Sequence, residues 1–126
     1  MNLYKSTTDS TLNLAEIEKE IMQRSHQLDA GINALNTAAR AYAEADHTYK
    51  KLYAEAFLTS EGAGVMREQV ATQAALQARY EANLAEGVMK SAAAAIQARR
   101  AQISALQSLL AAHKAEADFA RTGGGI

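Results

Sequence analysis

The stretch YKKLYAEAFLTSEGAG, residues 49–64, ends in the clearest turn signal of the chain. Its last residues include Gly62 and Gly64, which favour a helix C-terminal cap and allow the chain to reverse direction. The segments on either side are rich in alanine, and the 126 residues contain no proline. Because alanine is the best helix former and proline the strongest helix breaker, the composition predicts an all-α protein with its turn at residues 59–64.

A seven-residue repeat of apolar positions runs through the segment before the turn. It comprises Leu14, Ile21, Leu28, Leu35, Tyr42, Tyr49 and Ala56. Intermediate core positions are predicted at Ile17, Ile32, Ala39, Leu52 and Tyr53. A repeat sustained over this many heptads is typical of a coiled coil.

A second apolar pattern follows the turn. Its members are Val70, Ala74, Ala78, Ala85, Val88, Ala92, Ile96, Ile103, Leu106, Leu110 and Ala117. Folding the chain at the turn sets large residues against large ones far from the turn and tyrosines against alanines close to it, as close packing requires. The pattern therefore predicts a long antiparallel helical hairpin, or coiled coil.

Two helices alone leave half of each helix exposed, so we expect the hairpin to assemble into a homo-oligomer. The core positions expected to hold the hairpin and the oligomer together are Leu14, Ile21, Leu28, Leu35, Ile96, Ile103, Leu106 and Leu110. We expect a flexible arm at residues 1–10, one domain at residues 11–121 and a flexible tail at residues 122–126. Ser10 or Thr11 is the expected cap of the first helix.

The charges are unevenly distributed, although the net charge is only −1. Residues 1–63 carry six Lys/Arg and nine Asp/Glu, whereas residues 64–126 carry seven and five. No acid lies between Glu86 and Glu116, where Lys90, Arg99, Arg100 and Lys114 occur. This is the one charge asymmetry that could attract a polyanion.

The residue types give no support to catalysis or to metal binding. The chain has no cysteine, and His26, His47 and His113 lack a second histidine at helical spacing. The glycine-rich turn lacks the lysine of a phosphate-binding loop. We therefore expect no enzyme activity, no cofactor and no metal. The chain also shows no signal-peptide pattern and no apolar run of the ~20 residues that span a membrane, so we expect a soluble cytoplasmic protein.

Polar and basic side chains share one face of the second helix. At about 100° per residue, Arg79, Lys90, Gln97, Ser104 and Ser108 fall together, with Arg100 beside them. One interpretation is an ordinary solvated face, and the other is a surface that follows a phosphate backbone. Arg99 falls among the core positions, level with Arg24. Either these arginines reach solvent or acids of a neighbouring subunit, or they form a phosphate-binding level with Arg100.

The tyrosines beside the turn also allow two interpretations. Tyr49 and Tyr53 lie four residues apart, so they share a helix face. They either fill space above alanines or stack on bases, with Lys50 and Lys51 at their flanks. Tyr80 lies off the core positions beside Arg79 and is the better candidate for a free aromatic side chain.

Two stretches together resemble a known family. YKKLYAEAFLTSEG (49–62) followed by RE (67–68), and RRAQISALQSLLAAHKAEADFARTG (99–123), are similar to small phage proteins of the UvsY-like recombination mediator group. The similarity covers roughly residues 40–123. It implies a non-enzymatic protein that binds single-stranded DNA, forms homo-oligomeric rings and loads a phage recombinase onto DNA coated by single-strand-binding protein, in the cytoplasm of the infected bacterium. The matching positions for DNA contact are Lys50, Lys51, Arg67, Arg99, Arg100, Lys114 and Arg121.

Two other function classes stay open at this stage. The first is a structural helical module that binds only protein, such as a phage assembly chaperone or scaffold. The second is a small helical regulator or inhibitor of a host enzyme. Binding to a labelled single strand across a salt series separates the mediator from both, because phosphate contacts weaken steeply with salt.

Overall fold

The computed structural model describes residues 13–122, and this part of the chain is almost entirely helical. It contains three helices, α1 at Leu14–Thr59, α2 at Gly64–Ala74 and α3 at Leu76–Thr122. The all-α prediction is thereby confirmed for the described residues. The predicted arm at residues 1–10, the caps Ser10 and Thr11, and tail residues 123–126 lie outside them.

Asn13 caps the start of α1. Its side-chain Oδ1 accepts the backbone N–H of Glu16 at 2.8 Å, and its Nδ2 donates to the Glu16 carboxylate at 3.2 Å. Its carbonyl accepts the first bond of the helix, from the N–H of Ile17 at 3.0 Å. This reciprocal pattern is a capping box, and it fixes the beginning of α1 two to three residues later than the predicted Ser10 or Thr11.

The predicted turn lies where the glycines indicated. α1 ends at Thr59, and the hydroxyls of Thr59 and Ser60 donate to carbonyls of the preceding turn. Gly62 has φ of 106°, a backbone conformation that residues with a side chain rarely adopt. α2 then begins at Gly64.

The segment after the turn is two helices rather than the single helix that its apolar pattern predicted. Ala75, with φ −100° and ψ 5°, separates α2 from α3. Ala75 itself is bonded on both sides, because its N–H bonds to the carbonyl of Ala71 and its carbonyl accepts the N–H of Arg79. The buried face also continues past the break, since Ala71 and Ala75 on one side and Ala78 and Ala82 on the other are all buried.

The residues group into two compact units, described here one at a time. The first contains residues 31–95, with the turn, α2 and the adjoining parts of α1 and α3. Its buried side chains are all alanines, namely Ala38, Ala71, Ala75, Ala78 and Ala82. Within this turn unit, Tyr49 of α1 contacts Arg79 of α3, and Tyr42 contacts Glu86. Both contacts are consistent with antiparallel packing.

The second unit combines the two ends of the described chain, residues 13–30 of α1 and 96–122 of α3. We call it the end unit. Ile17 and Ile96 are its buried side chains. Glu20 and Arg24 of α1 line one shallow depression together with residues of α3, Gln102, Ala105 and Leu106. α1 and α3 are therefore neighbours in this unit too.

Burial confirms the heptad repeat of α1 and corrects several of the other core positions. All seven repeat residues of α1, from Leu14 to Ala56, are at least partly buried, whereas Ile32 and Leu52 are exposed. After the turn, the predictions of Val70, Ala74, Val88 and Ala117 as core residues were wrong, since all four are exposed. The other seven predicted positions are at least partly buried, namely Ala78, Ala85, Ala92, Ile96, Ile103, Leu106 and Leu110. Sheltered positions that were not predicted are Arg67, Ala71, Ala75, Ala82, Glu86, Met89, Ala93, Arg99 and His113. Close helix approach near the turn favours the small alanine, so the larger Val70 and Val88 lie outside.

Candidate nucleic-acid interface

Two of the predicted DNA-binding lysines are paired with acids of their own helix. Lys50 Nζ lies 2.8 Å from the Asp46 carboxylate, and Lys90 Nζ lies 2.7 Å from the Glu86 carboxylate. Hydrogen bonds to these carboxylates raise the pKa of both lysines above the usual value. Each pair is locally neutral, so neither lysine adds a free positive charge to a phosphate-binding surface.

Glu86 also accepts a hydrogen bond from the hydroxyl of Tyr42, and this links α1 to α3 in the turn unit. The bonds from Lys90 and then from Tyr42 lower the pKa of the Glu86 carboxyl. The same bond raises the pKa of Tyr42, because its hydroxyl donates only while it is protonated. Tyr42, Glu86 and Lys90 thus form a three-residue polar cluster, and DNA binding by Lys90 stays a prediction.

Arg79 contacts the aromatic side chain of Tyr49. Its Nη1 donates to the hydroxyl of Tyr49 at 3.3 Å, and its guanidinium carbon lies 5.7 Å from the centroid of that ring. Tyr49 in turn packs against Tyr53 with centroids 6.2 Å apart, and Tyr53 stacks on Phe57 at 6.4 Å and 17°. These rings contact each other along α1. Whether a base can also stack on Tyr49 or Tyr53 stays a prediction.

The remaining candidates of the turn unit differ in exposure. Tyr80 is 58% exposed and lines an open depression with Leu76, Gln77, Arg79 and Asn83. Lys51 is exposed on the outer side of α1. Arg67 is half-buried, and its Nε is shielded from solvent without a hydrogen-bond partner among the described residues. These three side chains do not form one cluster with the paired lysines.

In the end unit, the two half-buried arginines each bond to their own helix. Arg24 forms an ion pair with Glu20 at 3.5 Å and a hydrogen bond to Gln27. Arg99 Nη1 donates to Gln102 Oε1 at 3.1 Å. Arg24 is therefore neutralised by an acid on α1, whereas Arg99 retains its full charge because its partner is a neutral amide.

Free cations remain along one edge of α3 in the end unit. Arg100, Gln107 and Lys114 are spaced by seven residues, about 10.5 Å per step, so they follow one side of the helix. All three are exposed, and neither cation has an ion-pair partner among residues 13–122. Arg121 continues the series but is paired with Asp118 at 2.6 Å. We call Arg100, Gln107 and Lys114 the α3 edge; Arg99 adjoins it.

The sequence analysis identified these cations individually but missed their common spacing. It placed Arg100 beside a face containing Lys90, Gln97 and Ser104. The signal that was available is the heptad itself, since every seventh residue from Arg79 onward falls on the same edge. Glu86 and Glu116 limit the stretch without acids to residues 87–115, and the unpaired cations of the edge within it are Arg100 and Lys114.

Neither a metal centre nor a membrane-spanning helix occurs in the described part of the chain. Residues 13–122 contain no group of three His, Asp or Glu side chains placed to hold an ion. None of the three helices is long and apolar enough to cross a membrane. No protein-family model matches the chain, and no curated protein or solved structure matches it either.

Proposed function

We propose that this protein is a non-enzymatic recombination mediator of a bacteriophage, which binds single-stranded DNA along the α3 edge and helps to load a recombinase onto it. The observation that carries this proposal is the pair of exposed, unpaired cations Arg100 and Lys114 beside the half-buried Arg99, in a stretch of α3 without acids. Cations in this arrangement displace condensed counterions from a phosphate backbone, and no neighbouring acid in the stretch repels the phosphates.

The spacing of the edge suits a flexible strand. Steps of about 10.5 Å correspond to roughly every third phosphate of a stacked single strand, at about 3.4 Å per nucleotide. Gln107 supplies an amide donor between the two cations. None of these side chains presents a pocket for a particular base, so we expect binding that is insensitive to sequence and strongly dependent on salt.

Assembly is part of the proposal, because two or three phosphate contacts per chain give only weak binding. A homo-oligomer of helical hairpins, such as a ring, would present the α3 edge several times to one strand and raise the overall affinity through avidity. The contacts Tyr49–Arg79 and Tyr42–Glu86, and the shared lining of the depression in the end unit, support the hairpin.

The test of DNA binding is fluorescence anisotropy with a labelled oligo-dT at several salt concentrations. We expect micromolar or tighter binding at low salt, and the double variant Arg100→Gln/Lys114→Gln should bind more weakly with a flatter salt dependence. The matched control is Lys19→Gln/Arg40→Gln, which removes two exposed cations from α1. Equal losses in both double variants, or no binding by the native chain at low salt, would refute the α3 edge.

Loading is a separate claim with a separate test. The quantity to measure is the amount of a phage recombinase bound to strands coated by single-strand-binding protein. The native chain should increase it, and Arg100→Gln/Lys114→Gln should increase it less. A chain that binds DNA but leaves recombinase binding unchanged would be a DNA-binding protein without mediator activity.

A structural module that binds only protein is the second candidate function. The observation in its favour is the outer surface of α2 and the first part of α3, where Leu76, Tyr80, Leu84 and Val88 are exposed. Exposed apolar side chains of this size commonly mark a protein interface. Stable complexes with protein partners, in the absence of any oligo-dT binding at low salt, would favour this function.

A further inference from the structure

Seven large apolar side chains are exposed along α2 and the first part of α3, and the first of them is Val65. The other six, which we call the outer stripe, are Met66, Val70, Leu76, Tyr80, Leu84 and Val88. Each is between 48% and 61% exposed, and all belong to the turn unit. Scattered apolar residues on a surface need no explanation, but a continuous row of them does.

The outer stripe is one continuous face. At about 100° per residue its members fall within an arc of about 120°, on the side of the helix opposite the buried Ala71, Ala75, Ala78 and Ala82. The break at Ala75 does not divide it, since the buried face opposite the stripe continues from Ala71 and Ala75 to Ala78 and Ala82. The buried alanines pack inside the unit, so the large side chains of the stripe have no partner among the described residues.

The outer stripe carries little charge. The residues that lie among its apolar members on the same face are Gln69, Gln73, Gln77 and Gly87, and none is ionisable. Glu81 lies at one margin of the stripe, where its carboxylate accepts a hydrogen bond from the side-chain amide of Gln77 at 3.4 Å. The outer side of α1 in the same unit carries Arg40, Glu44 and Lys51, all exposed. An ordinary solvated helix face carries charges of this kind, and a nucleic-acid surface requires cations, so the stripe fits neither role.

We propose that the outer stripe is a self-association surface, on which a second copy of this chain docks antiparallel about a two-fold axis near Gln77. The outer members of the stripe lie at equal distances on either side of Gln77. In this arrangement Met66 of one copy meets Val88 of the other, and Val70 meets Leu84. Leu76 and Tyr80 lie one and three residues from the axis, so they pack next to it without lying directly opposite each other. The two outer pairs face each other reciprocally, as an isologous interface requires.

The available area is sufficient for a specific contact. Six half-exposed side chains of this size present roughly 600 Å² per copy, or about 1,200 Å² in a dimer, which reaches the lower end of specific interfaces. No charged side chain lies among the apolar members themselves, and Glu81 lies only at the margin, so like-charge repulsion between the identical surfaces is small. The glutamines among the apolar side chains form a polar rim and can hydrogen-bond across the contact.

This inference deepens the assembly part of the proposed function and rests on that part only. The outer stripe lies in the turn unit, whereas the α3 edge lies in the end unit. Variants at the two surfaces therefore separate the two claims. Leu76→Gln/Leu84→Gln keeps the net charge, so a change in its assembly does not arise from altered electrostatics.

The first experiment measures the molar mass of the full chain by light scattering over a concentration series. We expect the native chain to be a dimer or larger, and Leu76→Gln/Leu84→Gln to fall to half of that mass or less with its helical circular dichroism intact. The control Met22→Gln/Leu58→Gln also replaces two exposed apolar residues, and it should keep the native mass. A monomeric native chain, or equal masses for both double variants, would overturn the proposal.

The second experiment tests the orientation of the two copies and uses the absence of cysteine from the chain. Gln77→Cys places one thiol next to the proposed axis, so mild oxidation should give a disulfide-linked dimer in high yield. Met66→Cys places its thiol far from its symmetry mate and should remain uncrosslinked. Cross-linking of both variants indicates a parallel pair, and cross-linking of neither indicates a different surface; either result rejects the arrangement.

The pattern of failure distinguishes this inference from DNA binding. If Arg100→Gln/Lys114→Gln loses DNA affinity but keeps its mass, while Leu76→Gln/Leu84→Gln loses mass, both proposals are supported. A native chain that assembles normally but does not bind oligo-dT refutes the DNA site alone. Retained DNA binding and mass in Leu76→Gln/Leu84→Gln refutes the outer stripe alone.

Discussion

The hydroxyl of Tyr42 on α1 donates a hydrogen bond to the carboxylate of Glu86 on α3, and Lys90 approaches the same carboxylate at 2.7 Å. This is a direct polar contact between the helices before and after the turn, in a unit whose buried core consists of alanines. Because alanines bury little apolar area, such polar contacts have a larger share in fixing how the helices align.

Removing this hydroxyl should lower the thermal stability of the protein. Tyr42→Phe keeps the ring but leaves Glu86 with Lys90 as its only partner in the cluster. We expect a fall of a few degrees in Tm, measured by circular dichroism. The control is Tyr53→Phe, because Tyr53 is also half-buried on α1 and its hydroxyl has no hydrogen-bond partner among the described residues. An equal Tm for the two variants would show that the Tyr42–Glu86 bond does not stabilise the fold.

The cluster also predicts a pH dependence of stability. The pKa of Glu86 is below its ordinary value of 4.5 in the folded protein, so its contribution is complete above pH 4.5 and is lost as the pH falls through the lowered pKa. The pKa of Tyr42 is raised above 10.0, so its contribution is complete below pH 10 and is lost as the pH rises through the raised pKa. The Tm difference between the native chain and Glu86→Gln should therefore be largest between about pH 5 and pH 10.

The measurement is a series of melting curves for both proteins from pH 3 to pH 11. Glu55→Gln serves as the control, because Glu55 is exposed and its side chain has no ion-pair partner in residues 13–122. The Glu55→Gln difference should be small throughout. A Glu86→Gln difference that stays constant across the acid range would contradict the assigned role of Glu86.

Replacing Arg99 tests whether the DNA site includes a half-buried cation, in addition to the exposed Arg100 and Lys114. The side chain of Arg99 is half-buried, and its only hydrogen-bond partner within residues 13–122 is the amide of Gln102. If a phosphate reaches it, Arg99→Ala should weaken oligo-dT binding several-fold and reduce the slope of log K against log salt by about 0.7, as for one lost contact. Arg24→Ala is the comparison, because Arg24 is already paired with Glu20 and should have a smaller effect. Unchanged binding in both Arg99→Ala and Arg100→Ala rejects the phosphate-binding level.

The helical class and the position of the turn could be predicted from the sequence because both depend on local chemistry. Alanine content and the absence of proline determine the first, and Gly62 determines the second. The core positions after the turn were harder to predict from the sequence. The apolar pattern favoured large residues such as Val70 and Val88, whereas the structure leaves both exposed. In this chain alanine forms the contact face, and a pattern that ranks residues by hydrophobicity cannot identify it.

The candidate site was predictable only in part for a different reason. The cations themselves are visible in the sequence, but their availability depends on which of them an acid neutralises. Lys50 and Lys90 each have an acid four residues earlier, at a spacing that allows an ion pair. The link from Glu86 to Tyr42 joins residues far apart in sequence and required the structure.

Because the alanine core is closely packed, a larger side chain at one of its positions should destabilise the protein. Ala82 is 4% exposed, and replacing it with leucine adds three carbon atoms to a surface where α3 packs tightly. Ala82→Leu should lower the free energy of unfolding by about 1–3 kcal/mol, measured by urea denaturation. Ala94→Leu, at an exposed position of the same helix, should change it by less than about 0.5 kcal/mol. Equal effects of the two would show that the alanine face is not tightly packed.

The two glycines at the turn should respond to alanine in opposite ways. Gly62 has φ of 106°, so Gly62→Ala forces a side chain into a strained backbone and should destabilise the protein by about 1–3 kcal/mol. Gly64 begins α2, and a Cβ added there meets no atom within 4 Å. Gly64→Ala should therefore stabilise the protein by up to about 1 kcal/mol, because alanine loses less conformational entropy on folding. Urea denaturation of both variants measures the sign of each change. A Gly62→Ala variant as stable as the native chain would mean that the turn does not require the positive φ of this residue.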